Sequence, residues 1–346
     1  MHPSGLSGKL WAVHLKPKED ELFSCWIARE AHAQGVKVQT FCDLAFGKER
    51  QIWNRDIDRL APTWLVDEWS RRTAIPADEV LATTLHAYQG LLYREFHPTG
   101  FLKWILPLKM YHRKRMGFGL QFCPSCLSED EEPFFRKRWR VAFNTMCPIH
   151  GVMLHDRCPN CGAPVIFHRL ELGKHETIES GPMSECHACH FDLREAEATP
   201  PSIYDDEAFS FMRQSSLLLE GAQKLPSLNV DTFAVLHQLC KLMITQHARL
   251  KLREFVLGRL RVSDIPLEGT HFPFELRPIW ERHHVLQLAW WLVADLENRL
   301  TAAWKAKAVR YNMLFRDFED LPKWYGEITA QFSNWRGGGS KDAYNQ

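Results

Sequence analysis

No run of the 346 residues is long and apolar enough to cross a bilayer. The longest strongly apolar stretch, Val285 to Leu296, is interrupted by Gln287 and Asp295 and falls short of the roughly 20 residues a spanning helix needs. The opening Met1-His2-Pro3-Ser4-Gly5 lacks the charged-then-apolar pattern of a secretory leader, so a cytoplasmic protein with no membrane partner is expected. Net charge is nearly absent: 43 Lys and Arg stand against 42 Asp and Glu, leaving +1, so any hold on nucleic acid has to come from local basic patches. Catalytic signatures are missing as well. There is no GxxxxGK[ST] phosphate loop, and Gly337-Gly338-Gly339-Ser340-Lys341 has neither a strand before it nor a helix after it. No His-x-Glu accompanies a CxxC, as a zinc deaminase requires, and nothing picks out a carboxylate triad for strand transfer. A protein that is not an enzyme is expected.

What is present is enough apolar material to fold. Hydrophobic residues make up 45% and charged residues 25%, and 13 Trp and 21 Phe can fill several cores in a chain long enough for two or three domains. Residues 18–34 read as a helix, with Glu19, Asp20 and Glu21 in its first turn and Gly35 as its stop, followed by a short helix from Val38 to Phe46. The pattern recurs over Thr63–Arg72 and Asp78–Tyr88, giving two helix–turn–helix units. Each is equally well read as an αα-hairpin core that touches no DNA.

Helical periodicity returns after the linker-like Thr199-Pro200-Pro201-Ser202, with long stretches over Ala234–Leu252 and Arg282–Val309. The expected fold is mainly α with small β zinc-ribbon elements. Its expected parts are an N-terminal helix–turn–helix domain (1–118), a tandem zinc-binding module (119–198), a C-terminal helical domain (199–334) and a flexible tail (335–346).

Seven of the ten cysteines fall between positions 123 and 189, which in a reducing compartment points to metal rather than disulfides. They form ligand pairs with a two-residue gap: Cys123-Pro-Ser-Cys126, Cys147-Pro-Ile-His150, Cys158-Pro-Asn-Cys161 and Cys186-His-Ala-Cys189. Such a gap lets one tight turn aim two side chains at one ion, and two pairs complete a tetrahedral zinc site. Twenty residues separate Cys126 from Cys147 and twenty-four separate Cys161 from Cys186, both zinc-ribbon gaps, so the pairs are expected to join sequentially. A cross-braced pairing, or His187 or His190 in place of a neighbouring cysteine, stays open at this point. Both sets are thiolate-rich and complete, which predicts two structural Zn2+ ions rather than a catalytic one. Cys25, Cys42 and Cys240 sit in apolar helical patterns and read as core residues.

Two basic segments accompany this block. One is Lys109–Arg115, containing Arg113, Lys114 and Arg115; the other is Phe134–Val141, where Arg136, Lys137, Arg138 and Arg140 alternate with aromatics. Cations interleaved with aromatics suit a phosphate backbone and stacked bases. The second segment is read equally well as a ribbon strand with one solvated basic face and one buried aromatic face.

Several of these stretches resemble the TniQ/TnsD family of transposon target-selection proteins. They are Phe122-Cys-Pro-Ser-Cys-Leu-Ser-Glu-Asp130, Phe135-Arg-Lys-Arg-Trp-Arg140, Cys147-Pro-Ile-His-Gly151 and Asp156-Arg-Cys-Pro-Asn-Cys-Gly162. The opening Asp20-Glu-Leu-Phe-Ser-Cys-Trp-Ile-Ala-Arg29 with Gly35, and Ile105-Leu-Pro107, are similar too, so the likeness covers about residues 15–195. A looser likeness continues in His283–Asp295 and Pro322-Lys-Trp-Tyr325. One departure is Arg29-Glu30, where some members carry Arg-Leu. The resemblance implies an adaptor that binds target DNA or an RNA-guided CRISPR Cascade-type complex and recruits an AAA+ ATPase and, through it, the transposase. A homodimer is left open. The competing expectation is a stand-alone zinc-ribbon, helix–turn–helix transcriptional regulator.

Overall fold

In the computed structural model, which describes residues 10–108, 110–111, 114–115, 117–170, 182–221, 226–269, 272–318 and 320–332, the first helix, α1, spans Phe23–Ala33. The acids ahead of it do not fill its first turn as expected. Asp20 takes the left-handed region at φ 58°, and Glu21 pairs with Arg136 in a single antiparallel bridge, so the helix cannot begin before Leu22. The N–H of Phe23 instead donates to Thr83 O at 3.0 Å. At the other end Gly35, at φ 69°, closes the helix: its N–H donates to His32 O and that of Val36 to Ala31 O.

Helix α2 (Val38–Phe46) follows, then α3 (Ile57–Leu60), α4 (Thr63–Thr73) and α5 (Ala77–Ala82). The helix expected to run to Tyr88 stops early. The Thr83 and Thr84 hydroxyls donate back to Val80 O (2.7 Å) and Leu81 O (2.6 Å), and Leu85–Tyr88 forms a separate 3-10 turn. That break leaves Thr83 O free to receive Phe23.

These helices pack on tryptophan. Trp69, fully buried, meets Trp11, Trp26 and Phe23 edge-on at centroid distances of 4.9, 5.3 and 5.6 Å, with Phe41 and Phe46 closing the cluster. Outward, α2 shows Thr40, Asp43 and Leu44 and α5 shows Asp78 and Glu79. Neither second helix of the two pairs carries a Lys or Arg, so neither presents a cation to a phosphate backbone.

Strand is scarce among the described residues. β1 (Met110–Tyr111) pairs antiparallel with β2 (Lys114–Arg115), and the cysteine block contributes isolated bridges such as Met146–Met153 and Glu185–Asp192. The chain divides into two compact units, residues 1–201 and 202–346. The division expected at 118/119 falls inside the first unit, where Ile105 bridges Val141 and Leu106 N–H donates to Arg140 O.

The first unit also holds the short helix α6 (Pro124–Glu129), and the second unit is helical: α7 (Asp206–Leu219), α8 (Val230–Ile244), α9 (Leu252–Leu260), α10 (Ile279–Ala294), α11 (Leu296–Lys305), α12 (Tyr311–Leu314) and α13 (Lys323–Ala330). Asp205 caps α7 and Asn229 caps α8 with side-chain oxygens. The stretch expected to run from Ala234 to Leu252 ends at Ile244, where the Thr245 hydroxyl donates to Lys241 O. The other long stretch starts earlier, behind Pro278, and breaks at Asp295. α10 packs against α7 and α8, with Phe211 stacked on Trp290 at 5.5 Å.

Two polar side chains buried on α10 have partners: Glu281 accepts from Arg277 at 2.7 Å, and Gln287 Oε1 accepts the Tyr204 N–H at 2.8 Å. No helix among the described residues is long and apolar enough to cross a membrane. The tail expected over 335–346 lies outside the described residues.

Trp69 is the hub of the aromatic cluster, so Trp69→Ala is expected to lower the unfolding free energy by about 3–5 kcal/mol. Urea titration followed by circular dichroism measures this, and an unchanged midpoint removes Trp69 from that role.

Candidate metal centres

The first cluster is assembled from two turns. Cys123 precedes the short helix α6 (Pro124–Glu129), and its sulfur accepts the N–H of Cys126 at 3.5 Å, with Pro124 preset for the first helical position. The second turn runs Cys147 to His150. Cys147 N–H donates to Val152 O and Gly151 N–H to Cys147 O, and Gly151 sits at φ 64°, a conformation only glycine adopts without strain. Together they set His150 Nδ1 3.6, 3.3 and 3.4 Å from the sulfurs of Cys123, Cys126 and Cys147. The far ring nitrogen, Nε2, lies 2.9 Å from Glu129 Oε2, so a carboxylate on α6 holds the imidazole with Nδ1 facing the thiols.

The second cluster repeats the turn twice. Cys158 N–H donates to Ala163 O and Cys186 N–H to Phe191 O, and the left-handed position is filled by Gly162 (φ 71°) in one and His190 (φ 60°) in the other. Sulfurs of Cys158 and Cys189 stand 3.7 Å apart and those of Cys161 and Cys186 3.6 Å apart. The Asn160 amide donates to Cys189 Sγ at 3.5 Å. His190 faces Glu185 at 3.3 Å instead of the cluster.

In each set the four ligand atoms lie within 4.8 Å of one another, and the sets are the sequential ones. A tetrahedral zinc with Zn–S near 2.3 Å places its sulfurs about 3.8 Å apart, so both geometries fit such an ion. Protonation points the same way. Hydrogen bonds from Cys123 and Cys126 hold Cys147 well below the usual thiol range, while Cys126 is pushed far above it. In the second set the Asn160 hydrogen bond draws Cys189 down to about 6 while burial pushes Cys186 up to about 12. Sulfurs this crowded compete for protons, and a dication resolves the competition by replacing them.

The aromatic-rich basic segment is interior rather than a strand with an open basic face. It runs through a 3-10 turn at Lys137–Arg140, and its arginines point at carboxylates of the same unit. Arg136 grips Asp130 with both terminal nitrogens, at 3.0 and 2.7 Å. Arg138 reaches Asp20 at 2.9 Å, and Arg140, fully buried, reaches Asp56 at 2.6 Å and Asp58 at 3.4 Å. Lys137 donates to Ala82 O at the end of α5 at 2.6 Å. Asp58 in turn accepts both the N–H and the hydroxyl of Ser24 on α1, and burial raises its carboxyl to about 6 against the pull of Arg140. Of the other basic residues singled out, Lys114 and Arg115 form β2, and Arg113 lies outside the described residues.

Residues 12–154 match the model of the TniQ family. The match makes this stretch similar to a TniQ domain. No curated protein matches the chain. A TniQ domain suggests a role in target selection for Tn7-like transposition. The TniQ stretch takes in α1 to α6, the inward-facing arginines and the whole first cluster, and stops four residues before Cys158. The second cluster therefore lies beyond it, yet is braced to it: the Ser128 hydroxyl on α6 donates to Arg194 O at 3.4 Å, and Met153 N–H to Thr199 O at 2.8 Å.

Sequence reasoning missed Glu129, since an acid three residues after a ligand pair gives little signal until α6 turns it towards His150. It also passed over the loop Gly47–Arg55, whose cations and tryptophan could have been noticed as a pattern.

Replacing Arg140 with Ala leaves two aspartates around a buried site without their cation, and a loss of about 3–5 kcal/mol is expected. The sign of its pH dependence follows from Asp58. Without the guanidinium the folded-state carboxyl titrates still higher, so the folded variant takes up a proton that the unfolded chain does not. The deficit is therefore largest well above neutral pH, shrinks as pH falls towards about 6, and stays level below that, where the wild-type Asp58 takes up the same proton. Denaturant titrations at both ends of that range test this; a small, pH-independent loss contradicts it.

Proposed function

We propose that this chain is a non-catalytic target-selection adaptor. It marks an insertion site by holding target DNA or by docking on an RNA-guided CRISPR Cascade-type complex, and it recruits an AAA+ ATPase and, through it, the transposase. The single observation that carries the reading is the TniQ match over residues 12–154. The stand-alone regulator gains nothing from the geometry, since the second helix of each helix–turn–helix pair is free of Lys and Arg. Lys114 and Arg115 of β2, with Arg113 from the same basic run of sequence, are the proposed phosphate-backbone contacts among the residues singled out from sequence. The buried Arg136, Arg138 and Arg140, with Lys137, serve the fold instead.

We further propose that the two clusters each hold one structural Zn2+, through Cys123, Cys126, Cys147 and His150 and through Cys158, Cys161, Cys186 and Cys189. Four protein ligands per ion leave no open position for a reacting water. Bound zinc supplies cross-linking and neutralises the thiolates; the chain's own turns aim the sulfurs, and Glu129 orients His150. Purified protein is expected to contain two zinc ions per chain, and chelation to unfold it cooperatively. Glu129→Gln is expected to weaken retention of one ion about tenfold or more in chelator competition. Metal-free protein with unchanged thermal stability overturns this.

The adaptor reading is tested in cells carrying the transposase and ATPase genes with a marked element. Deleting the chain is expected to reduce insertion at the chosen site to background, and a tagged copy to co-purify with the ATPase. Insertion of unchanged frequency and position without the chain refutes the reading.

A further inference from the structure

The loop between α2 and α3 differs from the rest of the first unit in where its cations go. Two adjoining hollows of about 380 and 320 Å3 lie on either side of it and share Arg50, Gln51 and Ile52 in their walls. Lys48 and Arg169 line the first and Arg55 the second, so four cations surround a concavity in which Asp43 is the one acidic lining residue. Glu49 lies back over Gly47, outside both hollows. Among the described residues Lys48, Arg50 and Arg55 are exposed and form no ion pair, in contrast to the buried Arg136, Arg138 and Arg140.

Flat surfaces stand among these cations. Trp53, half-buried in the first hollow, is stacked on His168 at 4.2 Å with 14° between the planes, which fixes its ring. In the second, Arg50 lies 4.6 Å over the ring of Trp64 and offers its own planar face outward from an aromatic support. Phosphate-binding cations alternating with rigid stacking planes are what an unpaired strand needs. Hollows of this size suit groups on the scale of a small ligand, not the girth of a duplex.

We propose that this double hollow binds unpaired nucleic acid, with Lys48, Arg50, Arg55 and Arg169 holding phosphates while Trp53 and the Arg50–Trp64 pair stack bases. The proposal deepens the target-selection reading and rests on it for its biological sense. Its test is binding alone, so a failure here is distinguishable from a failure of that reading in the insertion assay.

The experiment measures fluorescence anisotropy of the purified full-length, metal-loaded chain with labelled mixed-sequence oligonucleotides of about 15 residues. The probes are single-stranded DNA, single-stranded RNA and a DNA duplex. Either single strand is expected to bind more tightly than the duplex, and the tighter of the two identifies the strand taken. The log-affinity slope against log salt is expected to be about −2 to −3, at about 0.7 per phosphate held.

Lys48→Gln/Arg50→Gln/Arg55→Gln is expected to weaken binding at least tenfold and to flatten the slope by about 2, while Lys305→Gln/Lys307→Gln changes neither. Should the triple variant lose its helical circular dichroism, Lys48→Gln and Arg55→Gln singly are each expected to flatten the slope by about 0.7. No binding by the wild-type chain, preference for the duplex, or unchanged affinity and slope in the folded variants overturns the proposal.

Discussion

The first unit depends on one short segment placed inside it rather than on its surface. Phe134–Val141 threads between α1 and the cysteine block: Leu22 N–H donates to Phe135 O, Lys137 N–H to Asp20 O, and Phe135 N–H to the sulfur of Cys25. Its guanidinium groups then fasten three separate neighbours: the end of α6 through Asp130, the entry to α1 through Asp20, and the α3 turn through Asp56 and Asp58. Buried ion pairs of this kind add little net stability over an apolar packing, but each partner left alone is costly, so they fix which segments meet. The departure of α1 from its expected start has this origin: Asp20, which would suit a helix N-terminus, is occupied by Arg138, more than a hundred residues on, and the Glu21 carboxylate is taken by Arg29.

The candidate metal centres hold the other side of that segment. α6 carries Cys123 and Cys126 towards Cys147 and His150, and also contacts the Leu193–Glu195 turn that follows the second cluster. The block has almost no regular strand among the described residues, and its turns take their shape from backbone hydrogen bonds around the ligand pairs and from left-handed residues beside them. Chelated sulfurs would thus replace the hydrophobic core that such short loops cannot build. Cys25, Cys42 and Cys240, by contrast, are buried among apolar residues and belong to packing.

Legibility in the sequence followed the range of the forces involved. The ligand pairs could be read because a two-residue gap constrains chemistry locally, and the sequential grouping followed from the gap lengths. α2 and α4 were visible for a similar reason, since apolar spacing and a nearby Gly or Pro act within one or two turns. The break after Ala82 was less visible, because Thr83 and Thr84 turn their hydroxyls on the backbone only where the Thr83 carbonyl has another donor to meet. Least visible was the fate of the arginines. A run of cations beside aromatics has the same local pattern on a surface and in a core, and only distant aspartates decide between them.

The hydrogen bond from Phe23 to Thr83 O, and those from Leu22 and Phe135 across the same junction, set an order of events in the making of the chain. At about 5–20 residues per second, translation delivers Phe135 several seconds after Phe23 has left the ribosome. Until then the Leu22 amide that leads into the helix has no partner, and Asp20 has no guanidinium. The nascent chain must carry a helix with Phe23, Trp26 and Ile27 incompletely covered through that interval, a window in which a holding chaperone has something to grasp.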